Sequence, residues 1–280
     1  MVTFRNQIRR VPPERQFGLL AVRLTSGLCN RLRTLAGFVH VNERLGLPAL
    51  QVFWHGNCDA CPGSFDDLFV PCSESRIEFI DLERFRRLEE DRACLTFWGQ
   101  ADINQTCKAF AFEPLTFGEV AALYAGLFVP LPHIAKSVRE FRKEFQLGEC
   151  CGLHIRRTDH PPTADALGGH TPDSYFMRII EEASSTRFFL ATDNAATQQL
   201  FTRMAVGRVL VFRPIDFHVE LHCLPPKNLR HTTLQHALID LLLLACCSHI
   251  EGSFLSSFSD AAKIFQPSID RLIGLEGFDV

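Results

Sequence analysis

Three polar segments in the second half of the chain follow apolar runs and carry side chains that can bind an anion or move a proton. They are Arg156-Arg157-Thr158-Asp159-His160, Thr192-Asp193-Asn194, and Glu251-Gly252-Ser253 with Ser256-Ser257 shortly after it. The carboxyl ends of parallel strands share one edge of a sheet, and open α/β sheets bind their ligands at that edge. The three segments therefore predict a single polar binding site.

Phosphate binding is the chemistry that these residue types favour. An arginine guanidinium pairs with phosphate oxygens through a fork of donors, which makes Arg156 and Arg157 candidates. Ser256 and Ser257 stand where a helix is predicted to begin, and a helix N-terminus offers free N–H groups to an anion. An ordinary N-cap is the alternative for the serines. His154 is either a core histidine or a hydrogen-bond donor to the same phosphate.

A second candidate lies in the first half of the chain, where a predicted strand runs into Thr25-Ser26-Gly27-Leu28-Cys29-Asn30-Arg31. Gly27 allows a ligand or another backbone to approach closely. Asn30 would stand in the first turn of the following helix. A plain strand-to-helix turn explains the same residues, so this segment alone does not establish a site.

Several common sites are excluded because their motifs are missing. No two glycines are separated by one residue, and the chain has no Walker A loop, no H-E-x-x-H and no G-x-S-x-G. It also lacks a D-x-D pair, the metal clamp of many nucleotide-sugar enzymes. Cys58-x-x-Cys61, with His55 and Cys72 nearby, has no matching second pair, so buried thiols or a disulfide are favoured over zinc.

The elements that position these residues alternate between strands and helices. Strands are predicted at 17–24, 49–54, 76–81, 153–156, 187–191, 208–213 and 249–253, and helices at 28–45, 134–145, 172–183, 195–204, 232–246 and 257–265. Such alternation is typical of a doubly wound parallel sheet. We expect a loose leader over 1–16 and two Rossmann-like domains, at 17–148 and 149–280. The pattern over 84–130 is harder to interpret.

Composition limits the partners and the compartment. Of the 280 residues, 46% are hydrophobic and 22% charged, and the net charge of −3 provides no field for nucleic acid or an anionic membrane. No segment resembles a signal peptide or a membrane span. An odd total of 11 cysteines favours reduced thiols, so we expect a cytoplasmic protein, with the lumen of the secretory pathway as the alternative.

Four segments resemble, in order, the α1,6-fucosyltransferases and, more distantly, the protein O-fucosyltransferases. They are S-G-L-C-N-R-L-R, G-L-H-I-R-R-T-D-H, F-F-L-A-T-D-N and A-L-I-D-L-L-L-L-A-C-C-S-H-I-E-G-S-F-L-S-S-F-S, and they span residues 26 to 260. The resemblance implies an α/β fold of the GT-B type, with two Rossmann-like domains facing a central cleft. It also implies GDP-fucose as donor, a glycan or glycoconjugate acceptor, inversion at the anomeric carbon, and no metal or other cofactor.

The resemblance also assigns residues. Arg156 matches the family arginine on the donor β-phosphate, and the donor-binding set is completed by His154, Arg157, Asp193, Ser253, Ser256, Ser257, Gly27 and Asn30. The family places a glutamate, the proposed base, where this chain has Pro161-Pro162-Thr163-Ala164-Asp165, so Asp165 is the predicted base and Asp159 the runner-up. A transferase for another nucleotide-sugar and a non-catalytic GDP-sugar-binding protein remain as alternatives.

Overall fold

The computed structural model describes residues 3–5, 10–11, 16–56, 61–72, 76–157, 171–215 and 232–275. The chain divides into two compact units, Met1–Val129 and Pro130–Val280. The sequence predicts a boundary near residue 148 instead. The difference is one helix, Pro132–Phe145, which packs against the helix Leu234–Ala245 and so belongs to the second unit.

Unit 1 is built on a parallel sheet of five strands. The strands are β1 (Thr3–Arg5), β2 (Leu19–Leu24), β3 (Leu50–Trp54), β4 (Ile77–Phe79) and β5 (Cys94–Gly99), in the spatial order β1-β5-β2-β3-β4. The helices are α1 (Leu28–Arg44), α2 (Leu82–Glu90), α3 (Ile103–Ala109) and α4 (Phe117–Leu127). Near the carboxyl end of β2, Arg23 stands beside Phe53 of β3 and Trp98 of β5.

Unit 2 is built on a parallel sheet of four strands. The strands are β6 (Cys151–Ile155), β7 (Phe188–Thr192), β8 (Val209–Leu210) and β9 (His249–Gly252), in the order β8-β7-β6-β9. The helices are α5 (Pro132–Phe145), α6 (Asp173–Glu182), α7 (Ala195–Met204), α8 (Leu234–Ala245), α9 (Ser257–Phe265) and α10 (Ile269–Leu272). Side chains of β6 and β7 pack with Phe176 of α6 and Phe201 of α7 to form a buried core.

The predicted fold class is confirmed, because both sheets are parallel and helices connect their strands. Each predicted strand and helix has a counterpart, but β8 is limited to Val209–Leu210 of the predicted 208–213 and β4 to Ile77–Phe79 of the predicted 76–81, while the other elements differ slightly at their ends. The structure differs at the N-terminus, where β1 lies within the predicted loose leader and pairs with β5. Edge pairing of this kind uses backbone groups, so the side chains of a short strand carry little signal for it.

The segment 84–130 contains short elements that helical periodicity cannot reveal. Helix α3 has seven residues, and its N-terminus is defined by a capping box. The Asp102 side chain accepts a hydrogen bond from the backbone N–H of Gln105, and the Gln105 side chain accepts one from the backbone N–H of Asp102. Thr116 and Glu119 form the same reciprocal pair at the start of α4. A capping box of this type satisfies backbone donors that a short helix leaves exposed.

No helix in the described parts of the chain is both long enough and apolar enough to cross a membrane.

Candidate functional site

Strand β6 occupies the topological switch point of the second sheet. The chain continues from β6 to β7 and β8 on one side, whereas β9 pairs with β6 on the other. At such a point the connections leave in opposite directions and open a crevice beyond the carboxyl ends of the two strands, where open α/β sheets bind their ligands. Arg156 follows β6 and Ser253 follows β9, so both lie at this crevice.

Hydrogen bonds join the predicted residues at the crevice. The backbone N–H of Arg156 donates to Ser253 Oγ at 3.0 Å, and the backbone N–H of Ser253 donates to the carbonyl oxygen of His154 at 2.9 Å. Ser253 is buried and Arg156 is half-buried. The turn after β9 is therefore fastened to the end of β6, which fixes the position from which the Arg156 guanidinium extends.

Helix α9 begins at this crevice without a side-chain cap. Its N-cap, Ser256, is 2% exposed, makes no capping hydrogen bond, and has an Oγ without a hydrogen-bond partner among the described residues. Ser257 is the first residue of the helix and is half-buried. A buried hydroxyl without a partner is costly. A phosphate oxygen would satisfy this hydroxyl and the helix N-terminus together.

His154 ties β6 to α9. Its Nδ1 lies 2.8 Å from Ser259 Oγ, and its ring stacks on Phe258 with the centroids 4.6 Å apart. Gly252 of β9 passes so close to this contact that a Cβ at that position would overlap Ser259. His154 is 5% exposed. The structure therefore shows it positioning the start of α9 against the sheet.

Arg157 and Asp193 hold the loop that carries Arg156. The backbone N–H of Arg157 donates to Asp193 Oδ1 at 2.8 Å, and the Arg157 guanidinium donates to the carbonyl oxygen of Arg156 at 2.9 Å. The same guanidinium forms an ion pair with Asp173 at the start of α6. These contacts support the backbone of the site. Their predicted role in donor binding stays a prediction, as does the base, because Asp159 and Asp165 lie outside the described residues.

Unit 1 has its own switch point, between β2 and β5. Gly27 is the N-cap of α1 and accepts a backbone hydrogen bond from Arg31 at 3.1 Å. Asn30 is in the first turn of α1, and its Oδ1 and the hydroxyl of Ser26 are buried atoms without a hydrogen-bond partner among the described residues. The structure thus places the predicted residues Gly27 and Asn30 at the edge of the first sheet where the parallel strands end, and their role in binding stays a prediction.

The role of Arg31 could not be foreseen from its place in the sequence. Its side chain is fully buried, stacks on the ring of Trp54, and donates to the carbonyl oxygens of Ser26 at 2.6 Å and His55 at 3.0 Å. It thereby holds the loops that follow β2 and β3. Burial and the charges of Arg23 and Arg31 lower the pKa of His55, so this edge of unit 1 carries positive charge.

Asp240 is a buried acidic residue within the apolar helix α8. It lies on α8, its Oδ2 is 3.5 Å from Nε2 of His236, and its Oδ1 has no hydrogen-bond partner in the described ranges. Burial raises the pKa of Asp240 well above its usual value. Burial and the charge of Arg213 lower the pKa of His236 to about 4. A buried carboxyl group with a free oxygen needs a donor, which a ligand can supply.

The described part of the cysteine-rich segment forms no metal site. Cys61 is buried and Cys72 is half-buried, whereas Cys58 lies outside the described residues. Within the ranges that the structure covers, no group of three or more histidine, cysteine or acidic side chains is arranged to hold a metal ion.

The two parallel sheets, the switch points and the helix N-terminus beside Arg156 define an α/β fold of the GT-B type. Among solved structures, the chain is similar over 90% of its length, and 93% of the other chain, to NodZ alpha-1,6-fucosyltransferase co-crystallized with GDP, at 18% identity and a TM-score of 0.57. A NodZ structure from Bradyrhizobium gives 17% identity and a TM-score of 0.56, over 90% of this chain and 94% of that one.

Two further structures share the fold. A variant of Arabidopsis thaliana FUT1 in complex with GDP is 12% identical, covers 92% of this chain and 70% of its own, and has a TM-score of 0.54. POFUT1 in complex with GDP is 12% identical, covers 89% and 94%, and has a TM-score of 0.50. No protein-family model and no curated protein sequence matches the chain. The predicted resemblance to fucosyltransferases is therefore confirmed in the fold.

Proposed function

We propose that the chain is a glycosyltransferase that moves fucose from GDP-fucose to a hydroxyl group of a glycan or glycoconjugate acceptor. The observation that carries the proposal is the uncapped N-terminus of α9, where the buried Ser256 hydroxyl has no partner among the described residues and Arg156 stands at the same switch point. The fold similarity supports the choice of donor, because NodZ and POFUT1 have been solved with GDP-fucose soaked in or in complex.

The site residues perform the part of the reaction that concerns the leaving group. When the bond between the sugar C1 and the β-phosphate oxygen breaks, negative charge develops on the GDP that departs. The backbone of Arg156 is held by Ser253, and the first turn of α9 is held by His154 through Ser259, so the groups that carry the positive charge extend from a fixed backbone before the reaction begins. Donors that are fixed in this way stabilise the developing charge without reorganising.

The acceptor hydroxyl must lose a proton as it attacks C1 from the face opposite GDP, and this direct displacement inverts the configuration. A carboxylate serves as the base in the proposed mechanism, with Asp165 as the first choice and Asp159 as the second. We propose that no metal is needed, because an arginine and a helix N-terminus supply the positive charge that a cation would otherwise bring to the diphosphate.

Asp240 supports guanine as the base of the donor nucleotide. Guanine presents an N1–H and a 2-amino group side by side, and Oδ1 of Asp240 can accept a hydrogen bond from such a donor. Oδ1 of Asp240, which has no partner in the part of the chain that the structure describes, is on α8, and α8 packs against β6 and β7. Uracil presents one N–H next to a carbonyl oxygen, which a carboxylate would repel. We therefore propose that Asp240 contributes to the preference for GDP over UDP.

Arg156→Ala tests the mechanism. We expect a folded protein whose fucose transfer or GDP-fucose hydrolysis is lower by about 100- to 1,000-fold, since the loss of one such electrostatic contact commonly has that effect. Arg203→Ala is the matched control, because Arg203 is an exposed arginine near the end of α7 in the same unit. Turnover of GDP-fucose by Arg156→Ala at a rate close to that of Arg203→Ala would remove Arg156 from the mechanism.

A further inference from the structure

The turn between β9 and α9 exposes two large apolar side chains next to the candidate phosphate site. Phe254 is 52% exposed and Leu255 is 68% exposed. The turn begins at Ser253, which is bonded to Arg156, and ends at Ser256, the N-cap of α9. These two adjacent apolar side chains, in a turn that also carries Ser253 and Ser256 of the candidate site, are accessible to a ligand bound there.

Hydrogen bonds hold the turn in its conformation. The backbone N–H of Phe254 donates to Thr171 Oγ1 at 2.8 Å, and the backbone N–H of Ser256 donates to the carbonyl oxygen of Ser253 at 3.3 Å. Leu255 has a φ of 53°, in the left-handed region that glycine and asparagine adopt more readily than leucine. The two side chains are thus presented by a backbone with a defined shape.

The ligand nearest to this turn follows from the chemistry of the donor. If the β-phosphate binds at Arg156 and Ser256, the sugar bonded to that phosphate is the part of the donor next to residues 254 and 255. The guanine base is separated from them by the diphosphate. Fucose is a 6-deoxy sugar, so the C6 methyl is its distinctive apolar group.

We propose that Phe254 and Leu255 form the apolar contact for the C6 methyl group of the donor sugar and thereby select a 6-deoxy sugar. The inference rests on the proposed function, because it takes the phosphate site at Arg156 and Ser256 as the donor site. A hydroxyl group on C6 would lose its hydration against two apolar side chains without gaining a partner. One methyl group in an apolar contact changes specificity by about 10- to 200-fold.

The test compares two nucleotide sugars that differ only at C6. GDP-β-L-galactose is GDP-β-L-fucose with a hydroxyl group on C6, and isothermal titration gives the dissociation constant of each, and of GDP, without an acceptor. Leu255→Gly and Phe254→Ala remove the contact, and glycine also suits the left-handed backbone at position 255. Val206→Ala is the control, because Val206 is 82% exposed in the turn that follows α7.

We expect the wild type and Val206→Ala to bind GDP-β-L-fucose at least about 10-fold more tightly than GDP-β-L-galactose. In Leu255→Gly and Phe254→Ala the ratio should fall severalfold toward one, while the affinity for GDP stays within about twofold of the wild type. Unchanged ratios in both variants, with GDP binding intact, would overturn the inference alone. A wild-type protein that binds neither GDP nor GDP-fucose would contradict the proposed function, and the inference with it.

Discussion

Ser256 provides the most local evidence for an anion site. Its hydroxyl is buried at the start of α9, makes no capping bond, and has no partner in the described part of the chain. By contrast, the N-cap side chains Asn194 of α7 and Thr233 of α8 each accept a hydrogen bond from their own helix. The difference shows that Ser256 does not serve as an ordinary N-cap, the alternative that its sequence position left open.

Ser256→Ala should weaken GDP binding by about 10- to 150-fold, since a hydrogen bond to a charged group contributes about 1.5–3 kcal/mol. The free protein should be as stable as the wild type or more stable, because the substitution removes a buried hydroxyl that has no partner within the described residues. Titration with GDP and thermal unfolding measure the two quantities. Ser137→Ala, on α5, is the control and should keep full GDP affinity. Equal GDP affinities for the two variants would contradict the phosphate site.

The lowered pKa of His236 should make the free energy of unfolding depend on pH. Its pKa is lowered to about 4 by burial and by Arg213, whereas an unfolded histidine has a pKa of about 6.5. Between these values the unfolded chain binds a proton that the folded chain does not, so the free energy of unfolding rises with pH. The rise from this group is at most about 3 kcal/mol.

The difference in unfolding free energy between the wild type and His236→Asn measures this effect between pH 4 and 6.5. Asp240 has a raised pKa and contributes with the opposite sign, but it is present in both proteins. The wild type should therefore gain stability relative to His236→Asn as the pH rises. His133→Asn changes an exposed histidine on α5 and is the control. A difference that stays constant with pH would show that His236 titrates normally in the folded protein.

At the scale of elements, the site depends on how closely α9 approaches the strands. Gly252 on β9 leaves just enough room for Ser259, which contacts His154 on β6. The same close approach places the free end of α9 beside Arg156. The end of β9, the serine-rich turn and the start of α9 are consecutive in the sequence. Their close packing against β6 requires that position 252 has no side chain.

Gly252→Ala should destabilise the protein by about 1–3 kcal/mol, because the new Cβ overlaps Ser259 and the packing cannot accommodate it without a shift. Gly118→Ala is the matched control, since nothing lies within 4 Å of a Cβ at that position in α4. The control should be neutral or more stable by up to about 1 kcal/mol. Chemical denaturation measures both variants, and equal stabilities would contradict the close packing of α9.

At the scale of the whole molecule, both units repeat one design. Each has a parallel sheet with a switch point, at β2 and β5 in unit 1 and at β6 and β9 in unit 2. Among the described residues, the buried polar atoms without a hydrogen-bond partner include atoms of Asn30 and Ser26 in the first unit and of Ser256 and Asp240 in the second. Polar groups of this kind are rare in folded proteins unless a ligand or water satisfies them.

GDP should therefore stabilise the whole chain more than UDP does. A ligand at 100 times its dissociation constant adds about 2.7 kcal/mol to the unfolding free energy. Thermal unfolding with GDP, UDP and ADP at equal concentrations checks the prediction, with the unliganded protein as the reference. Stabilisation by UDP and not by GDP would favour a transferase that uses another nucleotide-sugar. Binding of GDP without transfer or hydrolysis of GDP-fucose would favour a non-catalytic binding protein.

The sequence by itself determined the alternation of strands and helices and the order of the polar segments around Arg156, Asp193 and Ser253. These features are local, because buried strands and amphipathic helices leave a periodic record in consecutive residues. The sequence could not reveal β1 or α3, since edge pairing and capping depend on backbone groups more than on periodicity.

Only the tertiary structure decided which polar groups form hydrogen bonds within the described part of the protein and which remain available to a ligand. It paired Arg157 with Asp173 and Asp193, buried Arg31 among backbone oxygens, and left atoms of Ser256 and Asp240 without partners in the described ranges. The reason is physical. Whether a polar atom is satisfied depends on neighbours that are far away in the chain, and a sequence read one segment at a time does not contain those neighbours.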